Sequence, residues 1–161
     1  MKFRSNLEEN NIESAEKSGG SEYQIILDNR EKLWFELQWR PIAGRWIRPD
    51  QEPNSEDLIA RSIKVNNSEV LILAPEDNLL QVCLHTAKHS YVRAPGFRLH
   101  TDVDRIVRTL NIDWNMFINE VEKLNVRTAV FFSLALAREL LDSPIPNQTL
   151  NKLKPNKFKK L

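Results

Sequence analysis

The stretch Ala74–Val107, APEDNLLQVCLHTAKHSYVRAPGFRLHTDVDRIV, constrains the fold most, because it reads as two helices joined by a short loop. It also holds all three histidines and the only cysteine of the chain. Pro75 suits a first helical position, where its missing N–H costs nothing, and Glu76 and Asp77 in the first turn meet the positive end of the helix dipole. Leu79, Leu80, Val82, Cys83, Leu84 and Ala87 then form a broad apolar face. Asn78, Gln81, His85 and His89 recur every three or four residues and so fall in one line on the opposite edge. That line of hydrogen-bonding side chains is a candidate part of a site.

A chain of 161 residues supports one ordinary core. Its 41% hydrophobic and 28% charged content is that of a globular protein. A net charge of +1 supplies no general attraction to nucleic acid or to an anionic membrane. The single Cys83 excludes a disulfide within the chain and fits a reducing compartment. No apolar run approaches the ~20 residues that span a bilayer, and the N-terminus lacks the apolar core of a signal peptide. These features predict a soluble, cytoplasmic protein.

Along the chain, residues 1–21 are polar and end in Gly19-Gly20; they predict a flexible arm. Tyr23–Leu27 and Leu33–Trp39 read as strands of a hairpin turning at Asp28, Asn29 and Arg30. On the second strand Glu36 and Gln38 share one face, opposite Phe35, Leu37 and Trp39. Pro41 to Pro53 reads as a loop, in which Arg40, Arg45 and Arg48 near Trp39 and Trp46 suit either phosphate or base contacts or a plain solvated cover. A short helix capped by Asn54 or Ser55 runs through Arg61, Asn66-Asn67 make a turn, and Val70–Leu73 reads as a short buried strand. After the break at Arg93-Ala94-Pro95-Gly96, a helix to Leu110 points Leu99, Val103, Ile106, Val107 and Leu110 inward. Asp113 caps the next, with Trp114, Phe117, Ile118, Val121 and Leu124 as its stripe and Asn125 as its close. Arg127–Leu141 is the most apolar helix and belongs at the centre of the helical part, with Leu134 and Leu140 in the core; Ser143-Pro144-Ile145-Pro146 stops it. Residues 148–161 form a basic tail, read as solvated and frayed.

Three constellations bear on chemistry. His85 and His89 have a spacing that can ligate zinc, with His100 or Asp102 as a further ligand, but the glutamate of helical zinc proteases is absent. A hydrogen-bonded seam without structural zinc is the expectation. Asp102-Val103-Asp104 resembles a magnesium-binding pair, yet on a helix the two carboxylates diverge, which leaves Asp102 alone of interest. Cys83 points away from His85, and no glycine-rich phosphate loop occurs.

Taken together, several of these stretches resemble the uncharacterised nucleotidyltransferase family of the polymerase-β-like superfamily. Glu36-Leu37-Gln38-Trp39-Arg40 is similar to the family's Glu-Leu-His-Trp-Arg strand. Leu73 to His89 resembles its Leu-x-Pro-Glu-Asp phrase, apolar helix and His-x-x-Lys-His. Tyr91 through Val107 resembles an aromatic and basic loop followed by a helix bearing an Asp, in the position of Asp102. Asp113-Trp114 and Leu134 to Pro146 resemble later parts, so the resemblance covers roughly residues 33–146. It implies transfer of a nucleoside monophosphate from a magnesium-bound NTP to an acceptor, with Glu36 as a third carboxylate assisting the metals. Arg40, His85, His89 and Asp102 would then line the nucleotide or acceptor side. The family's Gly-Ser turn and Asp-x-Asp strand have no counterpart upstream of Glu36, and Gln38 replaces its histidine. The chain is therefore expected to be truncated, split from an N-terminal partner or degenerate, and inactive alone.

The expected fold is α+β: a small, incomplete antiparallel sheet packed on a bundle of four to five helices. Residues 22–147 form the domain, divided into a hairpin and strand region (22–73) and a helical region (74–147). A non-catalytic helical module using its sheet edge to dock a partner, or a homo-oligomer, is the alternative. A metal-dependent hydrolase built on His85, His89 and Asp102 is the weaker one.

Overall fold

The computed structural model describes residues 3–5, 19–27, 31–42, 47–89, 91 and 97–155. The turn at residues 28–30, Arg45 and Trp46, the break at residues 93–96, most of the N-terminal arm and the end of the tail lie outside the described residues. The fold is α+β, and the chain divides into two compact units, Met1–Ser55 and Glu56–Leu161.

The first unit is a three-stranded antiparallel sheet in the order β1-β2-β3. Its strands are β1 (Phe3–Ser5), β2 (Gly20–Ile26) and β3 (Lys32–Gln38). The β2–β3 hairpin was legible in the sequence; β1 was not, because three residues carry no periodicity. β1 places Phe3 opposite Ile25 and Ser5 opposite Tyr23, so part of the arm is a strand. Gly19 ends the unit's turn chemistry: its φ of 70° is a left-handed conformation that glycine adopts freely, and its carbonyl accepts the N–H groups of Trp39 and Arg40 at 3.0 and 3.1 Å.

Among the described residues, six α-helices follow: α1 (Ser55–Arg61), at the start of the second unit, then α2 (Pro75–Lys88), α3 (Phe97–Thr109), α4 (Trp114–Lys123), α5 (Arg127–Leu141) and α6 (Asn147–Leu153). Two-residue strands β4 (Ile63–Lys64) and β5 (Leu71–Ile72) form a hairpin around Asn67, whose φ is 58°. The expectation of a buried strand at Val70–Leu73 is corrected here: Val70, Leu71 and Ile72 are all exposed. A two-stranded ribbon has two open faces, and an apolar sequence alone does not say that anything covers them.

Helix α2 starts at Pro75 as its sequence predicts, and α5 lies at the centre, packed on α2, α3, α4 and α6. The core is built from Leu79, Leu80, Cys83 and Leu84 of α2, Leu99, Val103 and Ile106 of α3, Phe117, Ile118 and Val121 of α4, and Val130, Leu134 and Ala137 of α5. Thr86 is also fully buried; its hydroxyl donates to the Val82 carbonyl at 2.7 Å, which removes the cost of burying it. Asp113 caps α4 through the N–H groups of Asn115 and Met116, at 3.0 and 3.1 Å.

Two expectations about packing are corrected. Leu140 is 50% exposed, and Leu110 is exposed as well. Leu140 lies in the last turn of α5, at the edge of the face that buries Val130, Ser133, Leu134 and Ala137, so the helix's apolar content extends beyond what its neighbours cover. The beginning of the tail is not frayed: residues 147–153 form α6, with Thr149, Leu150 and Leu153 buried. Arg127 holds this helix by donating from Nη2 to the carbonyls of Lys152 and Lys154, at 2.7 and 3.1 Å. The lysines that made the segment look solvated alternate with a helical apolar stripe at Leu150 and Leu153.

Candidate functional site

In the first unit, the period of two along β3 puts Glu36 and Gln38 on one face, and the Gln38 amide donates to Glu36 Oε1 at 2.7 Å. Gln38 is thereby the hydrogen-bond partner of this exposed carboxylate. Gly20 sits opposite Gln38, and a Cβ there would meet Gln38 Cγ at 3.1 Å and Glu36 Oε1 at 3.3 Å. A glycine at this place leaves the pair its room. Across the ladder the residue in register with Glu36 is Glu22. Sequence reasoning missed that pairing, although counting outward from the turn at residues 28–30 would have found it.

Arg40 follows the strand but is not free for a ligand. Its Nε donates to Glu52 Oε2 at 3.0 Å and its Nη2 to the other oxygen of that carboxylate. Hydrogen bonding to Glu52 pushes the already high guanidinium pKa further up, and the pair is close to neutral as a unit. Glu52 carried no sequence signal beyond lying in a loop.

In the second unit, the three-and-four spacing delivers what it predicts for the histidines. The Nε2 atoms of His85 and His89 lie 3.0 Å apart, with ring centroids at 4.8 Å. One ring nitrogen must carry the shared hydrogen and the other accept it. His100 belongs elsewhere: it is 1% exposed and its Nε2 donates to the Tyr91 carbonyl at 2.9 Å. Asp102 lies half-buried on α3 and makes no hydrogen bond or ion pair with the described residues. His85, His89 and Asp102 do not converge: no group of three or more His, Cys, Asp or Glu able to hold a metal occurs among the described residues.

Asp102 and Asp104 flank Val103, which is fully buried, so the two carboxylates leave the helix on opposite sides of its core-facing line. Asp104 is engaged structurally, accepting from Arg108 Nε at 2.8 Å and from the Ser143 hydroxyl at 2.7 Å. Cys83 is fully buried, and desolvation pushes its thiol well above its ordinary pKa, which removes it as a nucleophile.

The first unit thus carries a strand-borne glutamate bonded to its neighbour two residues on, and the second unit carries a polar histidine edge. The family model of the uncharacterised nucleotidyltransferases matches residues 2–142, and the chain belongs to that family. The match reaches upstream of residue 33, where the motif resemblance begins, and takes in β1 and β2. No curated protein and no solved structure matches the chain. Among the described residues no helix is long and apolar enough to cross a membrane.

Proposed function

We propose that the chain serves nucleotidyl transfer from a magnesium-bound NTP, with Glu36 as a carboxylate that helps to hold the metal. The register of β2 on β3 carries this reading. Like charges directly opposite one another on an antiparallel pair are destabilising, yet Glu22 and Glu36 occupy facing positions. A cation bound there would relieve the repulsion. Magnesium is commonly held by one or two protein carboxylates together with substrate phosphates, and it supplies charge neutralisation on those phosphates. In this reading one such ion falls to Glu36, with Glu22 in register on β2. The described residues do not fit a two-metal centre, since no larger donor group occurs among them.

The chain's own contribution is then to present Glu36, bonded to the Gln38 amide, over the space left by Gly20. Family resemblance assigns Arg40, His85, His89 and Asp102 to the nucleotide or acceptor side; Arg40 would act there only as half of its pair with Glu52. Asp102 and Asp104 diverge on α3 and form no carboxylate set together, so among the described residues nothing completes a two-metal centre, and in this reading transfer needs a further source of carboxylates. Binding of each NTP, measured by displacement of a fluorescent analogue, should require magnesium and weaken about tenfold or more in Glu36→Gln. Equal binding by that variant, or binding indifferent to magnesium, would remove Glu36 from the reading.

A second reading has an observation of its own. Leu33, Trp34, Leu37 and Trp39 are exposed on and beside β3, Trp34 by 57%. Leu33, Leu37 and Trp39 share one face and Trp34 lies on the other, so this strand, at the edge of the described sheet, has exposed apolar groups on both sides, as suits a binding module that adds a partner's strand.

A further inference from the structure

The histidine pair has a use that nucleotidyl transfer does not require. We propose that His85 and His89 form an open two-point clamp for a divalent transition metal of the copper or nickel type. This rests on the pair's geometry alone and holds whether or not the chain transfers nucleotides.

His85 stands in the last turn of α2 and His89 is the C-cap residue that closes it, with their Nε2 atoms 3.0 Å apart. The backbone beneath them is still helical, since the His89 N–H donates to the His85 carbonyl at 3.2 Å. The pair is therefore presented by the C-terminal end of α2 and its cap. A metal bound to both nitrogens at about 2.05 Å would see them at an angle of about 94°, by simple triangulation of that separation. Tetrahedral zinc would ask for about 109°, and hence for nitrogens about 3.3–3.4 Å apart. An angle near 90° suits the square-planar or octahedral arrangements of Cu(II) and Ni(II), which also lead the affinity order for nitrogen sites.

Binding at both Nε2 atoms needs both neutral rings in the Nδ1–H tautomer, so the hydrogen shared between the rings moves through solvent to Nδ1 of the ring that carried it, and the metal takes its place. His85 is exposed and His89 half-buried, so an ion can reach them. His100, hydrogen-bonded to the Tyr91 carbonyl and buried, does not compete for it. Since no third donor of the described residues converges, the other coordination positions fall to water or to an incoming ligand. The class of site is thus an exchangeable one, distinct from the closed four-ligand sites that hold structural zinc.

The test uses the full chain purified without a histidine tag. Cu(II) is titrated against glycine as a competing ligand, and the bound ion is examined by electron paramagnetic resonance. One strong equivalent with superhyperfine structure from two imidazole nitrogens is expected. His85→Gln and His89→Gln should each weaken it by about tenfold or more and reduce that pattern to a single nitrogen. Zn(II) should bind more weakly than Cu(II) or Ni(II) to the unmodified chain. Melting temperatures equal to that of the parent would confirm that both variants are folded, as expected at an accessible helix edge. Unchanged copper affinity in either variant would overturn the proposal, as would a copper spectrum without imidazole nitrogen. Preference for zinc would overturn the geometric argument.

Discussion

Asp77 shows how much can hang on one side chain whose position looks routine. In the sequence it is a first-turn acid, favoured by the helix dipole. In the structure its side chain is only 1% exposed and receives two hydrogen bonds from Arg61, at 2.9 and 2.8 Å, with Glu120 at 3.5 Å from the same guanidinium. Hydrogen bonding to Asp77 is the main cause of Arg61's raised pKa. Removing the arginine strands a buried carboxylate, so Arg61→Ala should cost about 3–5 kcal/mol in urea unfolding. Asp77→Ala should cost less, because Arg61 is partly exposed and water can solvate it. Equal losses would show that Asp77 is better hydrated than its burial indicates. Neighbouring Glu76 has a parallel task, accepting from the Asp113 N–H at 2.6 Å and so tying α2 to the start of α4. Neither role was legible, because the partners lie distant in sequence and are joined only by the fold.

Tyr91 adds a pH dependence. Burial, and secondarily the nearby Cys83, push its pKa from an ordinary 10.0 up to about 12. The folded protein thus holds this proton more tightly than the unfolded chain does. The associated stability is whole below about pH 10 and is lost as pH rises through about 12. Unfolding free energies compared at about pH 9 and about pH 11 should fall more steeply for the parent than for Tyr91→Phe. Parallel declines would place the alkaline loss elsewhere.

At the scale of elements, the helices were easier to read than the strands. Pro75, Asp113 and Asn125 mark boundaries by local chemistry that needs no tertiary context, and the structure uses all three, Asn125 with a φ of 55°. β1, β4 and β5 were missed or misread because two or three residues cannot display a period. Burial within helices was partly legible. The stripes of α2 and α4 hold, while α5 is apolar on more sides than it buries and α6 hides its stripe among lysines. Leu134→Ala and Leu150→Ala should each cost about 2–5 kcal/mol, and Leu140→Ala well under that. Leu134 is fully buried and Leu150 4% exposed, against 50% for Leu140. A large part of the ~5–15 kcal/mol stabilising a typical domain is at stake in the first two, so melting curves separate the three variants readily. Similar melting temperatures would mean that α6 does not pack as described.

At the scale of the whole molecule, the family and the α+β class were both legible, the first from the order of several short motifs and the second from the sequence of hairpin and helices. The site was legible only in its pieces. The face shared by Glu36 and Gln38 follows from strand period, and the contact of His85 with His89 from helix period. Glu22 opposite Glu36 depends on register, and the Arg40–Glu52 pair on a loop, which no periodicity describes. We propose that Glu36, with Glu22 in register, assists the metal and that the chain does not complete nucleotidyl transfer unaided. Incubation of the purified chain and its Glu36→Gln variant with each radiolabelled NTP, magnesium and cell extract as a source of acceptors tests this most directly. The prediction is magnesium-dependent NTP binding that weakens in Glu36→Gln, with no labelled product from either protein beyond that of extract alone. Labelled product formed by the unmodified chain and lost in Glu36→Gln would contradict it.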